Sequence, residues 1–345
     1  MKQIKRLMIL TVSLATLWGC GSDSDSGSST KTTPVTLAVS DAPIDDVSEV
    51  VVVYSKVAFL PIGGGAPIIF DVFKQDENGN PVDEVGDPLP PGASPIPLSV
   101  NLFDFQGSES KELIENQIIP VGDYKLCVFA NDGNHPEYSS YVVNSNTSTK
   151  QSLTVKGDGN CPQGVGEMEN AGVLFFNDTF SVNEQNNDFV LEFDLRRGLK
   201  EDTSVGTDYT IQRTSVSLIN TVTTGNITGE VMLPVYGACE VDSPSANGHA
   251  HAVYLYSGVV EQANMGTFAG TGVMPIAAAN VVSEDEGATY RYEFGFVEPG
   301  TYSVGYTCTA NDDSEEGLVV GETFRIHQAH SGFVVTERQD TIVNF

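Results

Sequence analysis

Four histidines offer this chain its most distinctive chemistry. His249 and His251 stand two residues apart, so on a strand both imidazoles share one face; His327 and His330 lie on a second candidate strand or loop. Three or four imidazoles brought together suit zinc or copper. Residues three apart on a strand point to opposite faces, however, so His327 and His330 cooperate only from a loop. The competing reading is surface or hydrogen-bonded histidines. Asp76, Asn78 and Asn80 have the spacing of a calcium loop, but Gly79 precedes Asn80 and no bidentate glutamate follows in register, so a hairpin turn fits better. No G-x-S-x-G, H-E-x-x-H or phosphate-cradling glycine loop occurs, which lowers the case for an enzyme. The sequence calls for no cofactor.

The amino terminus sets the compartment in which any such chemistry would run. Lys2, Lys5 and Arg6 precede an apolar run from Leu7 to Trp18, too short to span a bilayer and typical of an export signal. Leu17-Trp18-Gly19-Cys20 resembles the bacterial lipobox, which implies removal of residues 1–19 and lipid attachment at Cys20. Two or three acyl chains anchor stably where one does not. In that motif's pattern, Gly21 in place of an aspartate points to the outer membrane. Four cysteines then remain, Cys127, Cys161, Cys239 and Cys308, and an even number in an oxidising compartment suggests disulfides. Three pairings are open. Two cysteines in each half favour Cys127 with Cys161 and Cys239 with Cys308, each worth roughly 3–5 kcal/mol by chain entropy; the alternative is small buried thiols.

The formal charge of −29 becomes −32 once the three basic residues of the signal leave. So acidic a surface repels nucleic acid and anionic headgroups, which excludes nucleic acid as a partner. The run Asp312, Asp313, Glu315 and Glu316 could collect cations but reads better as a solvated loop.

The elements that must position these groups are strands. Residues 20–33 are Ser, Gly, Asp and Thr with little apolar patterning, a flexible lipidated tether. Beyond it, Val35, Leu37 and Val39 alternate. So do Phe189, Leu191, Phe193 and Leu195; Tyr290, Tyr292, Phe294 and Phe296; and Tyr302, Val304 and Tyr306. Val50 to Tyr54 is instead a continuous run, as in a strand covered on both faces. Asn78-Gly79-Asn80-Pro81, Asn131-Asp132-Gly133-Asn134 and Gly157-Asp158-Gly159-Asn160 supply turns. One helix is expected, over Ser108 to Asn116. The prolines from Pro88 to Pro97 suggest a rigid extended loop or recognition strand, and Tyr254 and Tyr256 are either sugar-stacking or core aromatics. The chain is therefore expected to be all-β, with two Greek-key, prealbumin-like sandwich domains over residues 34–222 and 223–345. Val121-Gly122-Asp123-Tyr124 and Pro299-Gly300-Thr301-Tyr302 echo each other as strand openings. The cysteines fall three residues after one tyrosine and six after the other, so Cys127 and Cys308 should face opposite sides.

These segments resemble one family, the bacterial lipoprotein domain of unknown function DUF4382. The likeness lies in Val39-Ser40-Asp41-Ala42-Pro43, in Asn101 to Gly107 leading into Ile119 to Tyr124, and in Phe193-Asp194-Leu195-Arg196 through Leu199. Phe296 to Tyr302 and Tyr306-Thr307-Cys308 look like the sandwich that often trails it. The Cys127/Cys161 pair and the proline-rich insert from Pro81 to Pro97 depart from its pattern. The resemblance implies fold and location, a membrane contact through the N-terminal lipid, and no assigned activity. A non-enzymatic binding or structural role at the envelope follows, with a glycan or protein as ligand; a histidine-based metal-binding lipoprotein is the alternative, and an envelope hydrolase a more distant one.

Overall fold

The computed structural model describes residues 31–345 apart from 43–46, 146, 156–160, 166–167, 203–207, 244–247, 269, 271, 284, 315–316 and 319–323. The signal, Cys20, most of the tether, the 157–160 turn and Glu315-Glu316 lie outside the described residues. The described strands of the first part are β1 (Thr32–Ala42), β2 (Val47–Pro61), β3 (Ile68–Asp71), β4 (Leu98–Asn101), β5 (Lys111–Pro120) and β6 (Gly122–Asn131). They continue with β7 (Tyr141–Asn144), β8 (Lys150–Val155), β9 (Ala171–Val182), β10 (Asp188–Asp194), β11 (Leu199–Asp202), β12 (Asp208–Ile211) and β13 (Val216–Asn220). The second part holds β14 (Gly225–Glu230), β15 (Ala252–Ser257), β16 (Ala277–Asn280), β17 (Arg291–Val297), β18 (Gly300–Thr307), β19 (Asp313–Ser314), β20 (Gly317–Leu318), β21 (Gln328–Val335) and β22 (Asp340–Ile342). Among the described residues two α-helices, α1 (Leu195–Gly198) and α2 (Leu233–Asp242), join them. The fold is all-β.

Period-two alternation decides which side chains meet. Val35, Leu37 and Val39 of β1, and Phe189, Leu191 and Phe193 of β10, face Val50, Val52 and Tyr54 of β2 in one buried core. That core joins a four-stranded sheet, in the order β13-β10-β1-β5, to a nine-stranded sheet running from β11 to β9. Val51 and Val53 are buried on the other face of β2, as its unbroken β-branched run predicts. A second core, with Ile227, Val253, Leu255, Tyr292, Phe294, Val304 and Tyr306, joins the three-stranded sheet β17-β14-β22 to the four-stranded sheet β16-β15-β18-β21.

The two sheet pairs repeat one connectivity. β1 pairs antiparallel with β5 and parallel with β10, as β14 does with β17 and β22. β6 pairs antiparallel with β2 and β9, as β18 does with β15 and β21. The echo noted in sequence is the same device twice. Tyr124 donates its hydroxyl to the Pro120 carbonyl at 2.6 Å and Tyr302 donates to the Glu298 carbonyl at 2.9 Å, each four residues upstream across a glycine turn. Such a latch fixes the corner where the chain crosses between sheets.

The helix expected over Ser108 to Asn116 is not there. Lys111–Pro120 is strand β5, paired along β1, because Leu113 and Ile114 are both buried against that sheet and Asn116, at φ 49°, breaks the helical path with a bulge. The helix that does form, α2, begins with Pro234 in its first turn and carries Cys239, which is bonded to Cys308; the other disulfide joins Cys127 to Cys161. Cys308 lies in the second inter-sheet core, whereas Cys127 lies under a separate cluster with Ala58, Leu60 and Phe129 on the outer face of the large sheet. Gly133 meets the chain closely: a Cβ there would sit 2.6 Å from the Leu153 nitrogen.

Candidate functional site

Two places gather groups capable of binding. The first is the histidine region beside α2. His251, just before β15, is buried; its Nδ1 lies 2.7 Å from the Tyr306 hydroxyl and its Nε2 3.2 Å from Glu240 Oε1. The Tyr236 ring stacks on it with centroids 3.6 Å apart. Burial holds its pKa below the usual imidazole value, against the pull of Glu240, so it is kept neutral and packed. His249 is half-buried and bonds the Ser243 carbonyl at 2.9 Å. His327 sets its ring edge-on to Tyr306, with Asp242 Oδ2 3.8 Å away, and His330 packs against Phe345 at 5.1 Å. The structure therefore brings His251 and His327 to Tyr306 and His330 to Phe345, which packs on Tyr306, while His249 meets the group only through His251, 6.4 Å away between ring centroids. Among the described residues, no three His, Cys, Asp or Glu side chains are spaced to hold a metal ion.

The second place is a cleft of 540 Å³ between the two sheet pairs. Each of the four sheets ends in an outermost strand there. Phe176 to Phe180 of β9, Val216 to Ile219 of β13, Ala277 of β16 and Phe294 to Val297 of β17 line it, and these are the terminal strands of their sheets. Edge strands carry backbone donors and acceptors with no partner strand on one side. Among the described residues, an isolated bridge from Val282 reaches Arg291 at the start of β17, and no strand pairs with the outer edges of β9, β13 and β16.

The cleft is acidic at its mouth and apolar within. Asp178 and Glu298 are exposed at its rim, and no Lys, Arg or His lines it. Glu192 stands on β10 between Ser40 of β1 and Ser217 of β13, on the face opposite the core. Burial, with the charge of Asp194 adding to it, pushes its carboxyl up to about 8, so it stays protonated at neutral pH. A carboxyl so displaced, inside a cleft, is a candidate functional group. Phe296 adds a backbone signal. It lines the cleft at φ 53°, a conformation that costs a bulky side chain about 1–3 kcal/mol, and its N–H donates to Asn226 Oδ1 at 3.3 Å.

The seam beneath the cleft is tight. Arg196, 8% exposed, donates to Asn280 Oδ1 at 2.8 Å and to the Ala310 carbonyl at 3.4 Å. A Cβ on Gly295 would fall 2.1 Å from the Gly107 carbonyl oxygen, so only glycine lets β17 approach that loop. Asp312 and Asp313, expected in a solvated loop, are buried here, and Asp313 accepts the Phe268 N–H at 3.1 Å. Tyr254 and Tyr256 are fully buried core residues, so they offer no stacking face to a sugar. Asp76 caps its own turn, accepting the N–H groups of Asn78 and Asn80 at 2.8 and 2.9 Å, as a hairpin turn should. The proline-rich stretch is a loop held by isolated bridges, Val82 to Pro88 and Phe73 to Pro97.

Glu192 and the cleft were missed in the sequence. A glutamate between the core residues Leu191 and Phe193 reads as a solvent-facing strand residue, whereas in the structure it lines the cleft between the sheet pairs. The sole local sign is the polar pair Glu192 and Asp194 on one face of a strand whose other face is wholly apolar.

Comparison with known proteins gives a family and distant shapes. The family described as "Domain of unknown function (DUF4382)" matches residues 32–212. No curated protein matches the chain. Among solved structures, an adhesin candidate from Bacteroides ovatus aligns at 10% identity over 96% of this chain and 98% of that one, with a TM-score of 0.19. The major pilin of Streptococcus pyogenes aligns at 8% identity over 91% and 99%, with a TM-score of 0.15. No described helix is long and apolar enough to cross a membrane.

Proposed function

The chain belongs to the DUF4382 family, and from that premise we propose that it is a non-enzymatic binding protein of the bacterial envelope, held at the outer membrane by lipid on Cys20 and taking its ligand in the cleft between its sheet pairs. Residues 34–222 and 223–345 act as two domains, and the ligand sits where they meet. The observation that carries this is the convergence of four sheet edges on one acidic-mouthed cleft lined by the half-buried Glu192. The histidines pack against Tyr236, Tyr306 and Phe345 and hydrogen-bond Tyr306, Glu240 and the Ser243 carbonyl, which favours the cleft over them as the binding place.

Two experiments test the parts separately. A clickable palmitate analogue fed to cells should label wild type and not Cys20→Ser, and the variant should leave the membrane fraction; an unlabelled wild type removes the anchor. An array of envelope glycans and proteins should give saturable binding that Ser217→Trp, which fills the cleft, abolishes. Binding unchanged in that variant removes the cleft as the site.

A further inference from the structure

We propose that the ligand is an extended polypeptide segment carrying lysine or arginine, which adds to the outer edge of β13 as a fifth strand of the four-stranded sheet. This rests on the cleft being the binding site and names the class of partner it takes.

Backbone geometry selects the strand. Of the four edges in the cleft, β9 is broken by a register shift opposite Tyr124 and Leu126. β17 has a shift opposite Gly225 and Ile227 and holds Phe296 at positive φ. β16 has four residues, and its far end is tied down by Arg196 on Asn280. β13 alone offers five residues in unbroken antiparallel register, Val216 to Asn220 against Phe193 to Phe189 of β10. Five residues give an edge of about 17 Å, enough for two or three inter-strand hydrogen-bonded pairs. An extended chain satisfies those donors and acceptors as a compact sugar cannot.

Side chains then select composition. Residues of an added strand alternate between two faces. One set would meet apolar walls such as Phe180 and Leu218, which pack against the core; the other would point as Ser217 does, to the face where Glu192 lies. The neutral Glu192 carboxyl can hydrogen-bond there, the exposed carboxylates Asp178 and Glu298 stand with Tyr302 on the surrounding walls, and no Lys, Arg or His is among the residues lining the cleft. A lysine or arginine at alternate positions complements the charge of the Asp178 and Glu298 carboxylates at the mouth.

The test uses the full chain in detergent at 0.15 M salt, where long-range attraction to an acidic protein is screened. The probe is a nonapeptide of alternating valine and lysine. Its controls replace each lysine by glutamate, or the central valine by proline, which removes a donor and breaks the strand. The lysine peptide should bind saturably and at least tenfold tighter than either control, and the amides of residues 216–220 should gain protection from hydrogen exchange on saturation. Equal affinity for the proline peptide, or unchanged exchange along β13, overturns strand addition. A glycan that binds wild type but not Ser217→Trp, with no peptide binding, overturns it while leaving the cleft as the site. Ligand binding indifferent to Ser217→Trp overturns both. The exchange measurement is made on wild type, so it decides the matter even where that variant does not fold.

Discussion

Replacing Glu192 by glutamine should make the protein more stable, and increasingly so as pH rises. The carboxyl titrates near 8 when folded and near 4.5 when unfolded, so below pH 4.5 it is neutral in both states and contributes nothing. Between 4.5 and 8 the unfolded chain ionises it while the folded one keeps its proton. Unfolding then releases a proton, and stability falls with rising pH. Above 8 the whole penalty is present. At 1.36 kcal/mol per pH unit, the displacement sets a ceiling of about 5 kcal/mol, and water reaching the carboxyl from the cleft reduces this to about 2–3 kcal/mol. Glutamine keeps the shape and loses the titration. Urea unfolding of both proteins at pH 4.5, 6.5 and 8.5 measures the difference, which should grow from near zero to about 2–3 kcal/mol in favour of Glu192→Gln. A difference that stays flat with pH, or a variant weaker than wild type at pH 8.5, refutes the argument that β10 presents a partly desolvated carboxyl to the cleft.

Further perturbations follow from the same structure. The double variant Cys239→Ser/Cys308→Ser should lose about 3–5 kcal/mol in denaturant unfolding, as expected for opening a closure of 69 residues; an unchanged midpoint contradicts it. Tyr124→Phe and Tyr302→Phe should each cost about 1 kcal/mol through the lost corner hydrogen bond, and the two costs should add, because the tyrosines serve separate cores. Gly295→Ala should cost about 1–3 kcal/mol in thermal unfolding, since its new methyl meets the Gly107 backbone and no flexible side chain can yield; a neutral result contradicts the close approach.

What the sequence reveals here is what period-two patterning controls. Phe189, Leu191 and Phe193, like Tyr302, Val304 and Tyr306, announce both the strands and the faces that enter the cores. The continuous run Val50 to Tyr54 announces a strand covered twice. Pattern fails where a bulge shifts the phase: Leu113 and Ile114 are neighbours in sequence and both buried, which suits a helix until Asn116 is seen to turn left-handed. It fails again at α2, whose Gly237 and weak apolar stripe give little helical signal, and whose position is set by a disulfide to a distant strand. The cleft is still less legible. Its walls come from residues near 178, 217, 277 and 295, and nothing local says that these four edges meet. The histidines show the converse. Their types and spacing suggest metal chemistry, yet Tyr236, Tyr306, Glu240 and Phe345 occupy them with stacking and hydrogen bonds.

Gly295 pressed against Gly107, and Arg196 clasping both Asn280 and the Ala310 carbonyl, leave the hinge line under the cleft no slack. A guest therefore meets a slot already standing, and the freedom surrendered on docking is almost wholly its own. Stiffness in the guest becomes the quantity that tunes residence time: a segment held straight by its parent protein would dwell longest, whereas a floppy tail of the same composition would come and go.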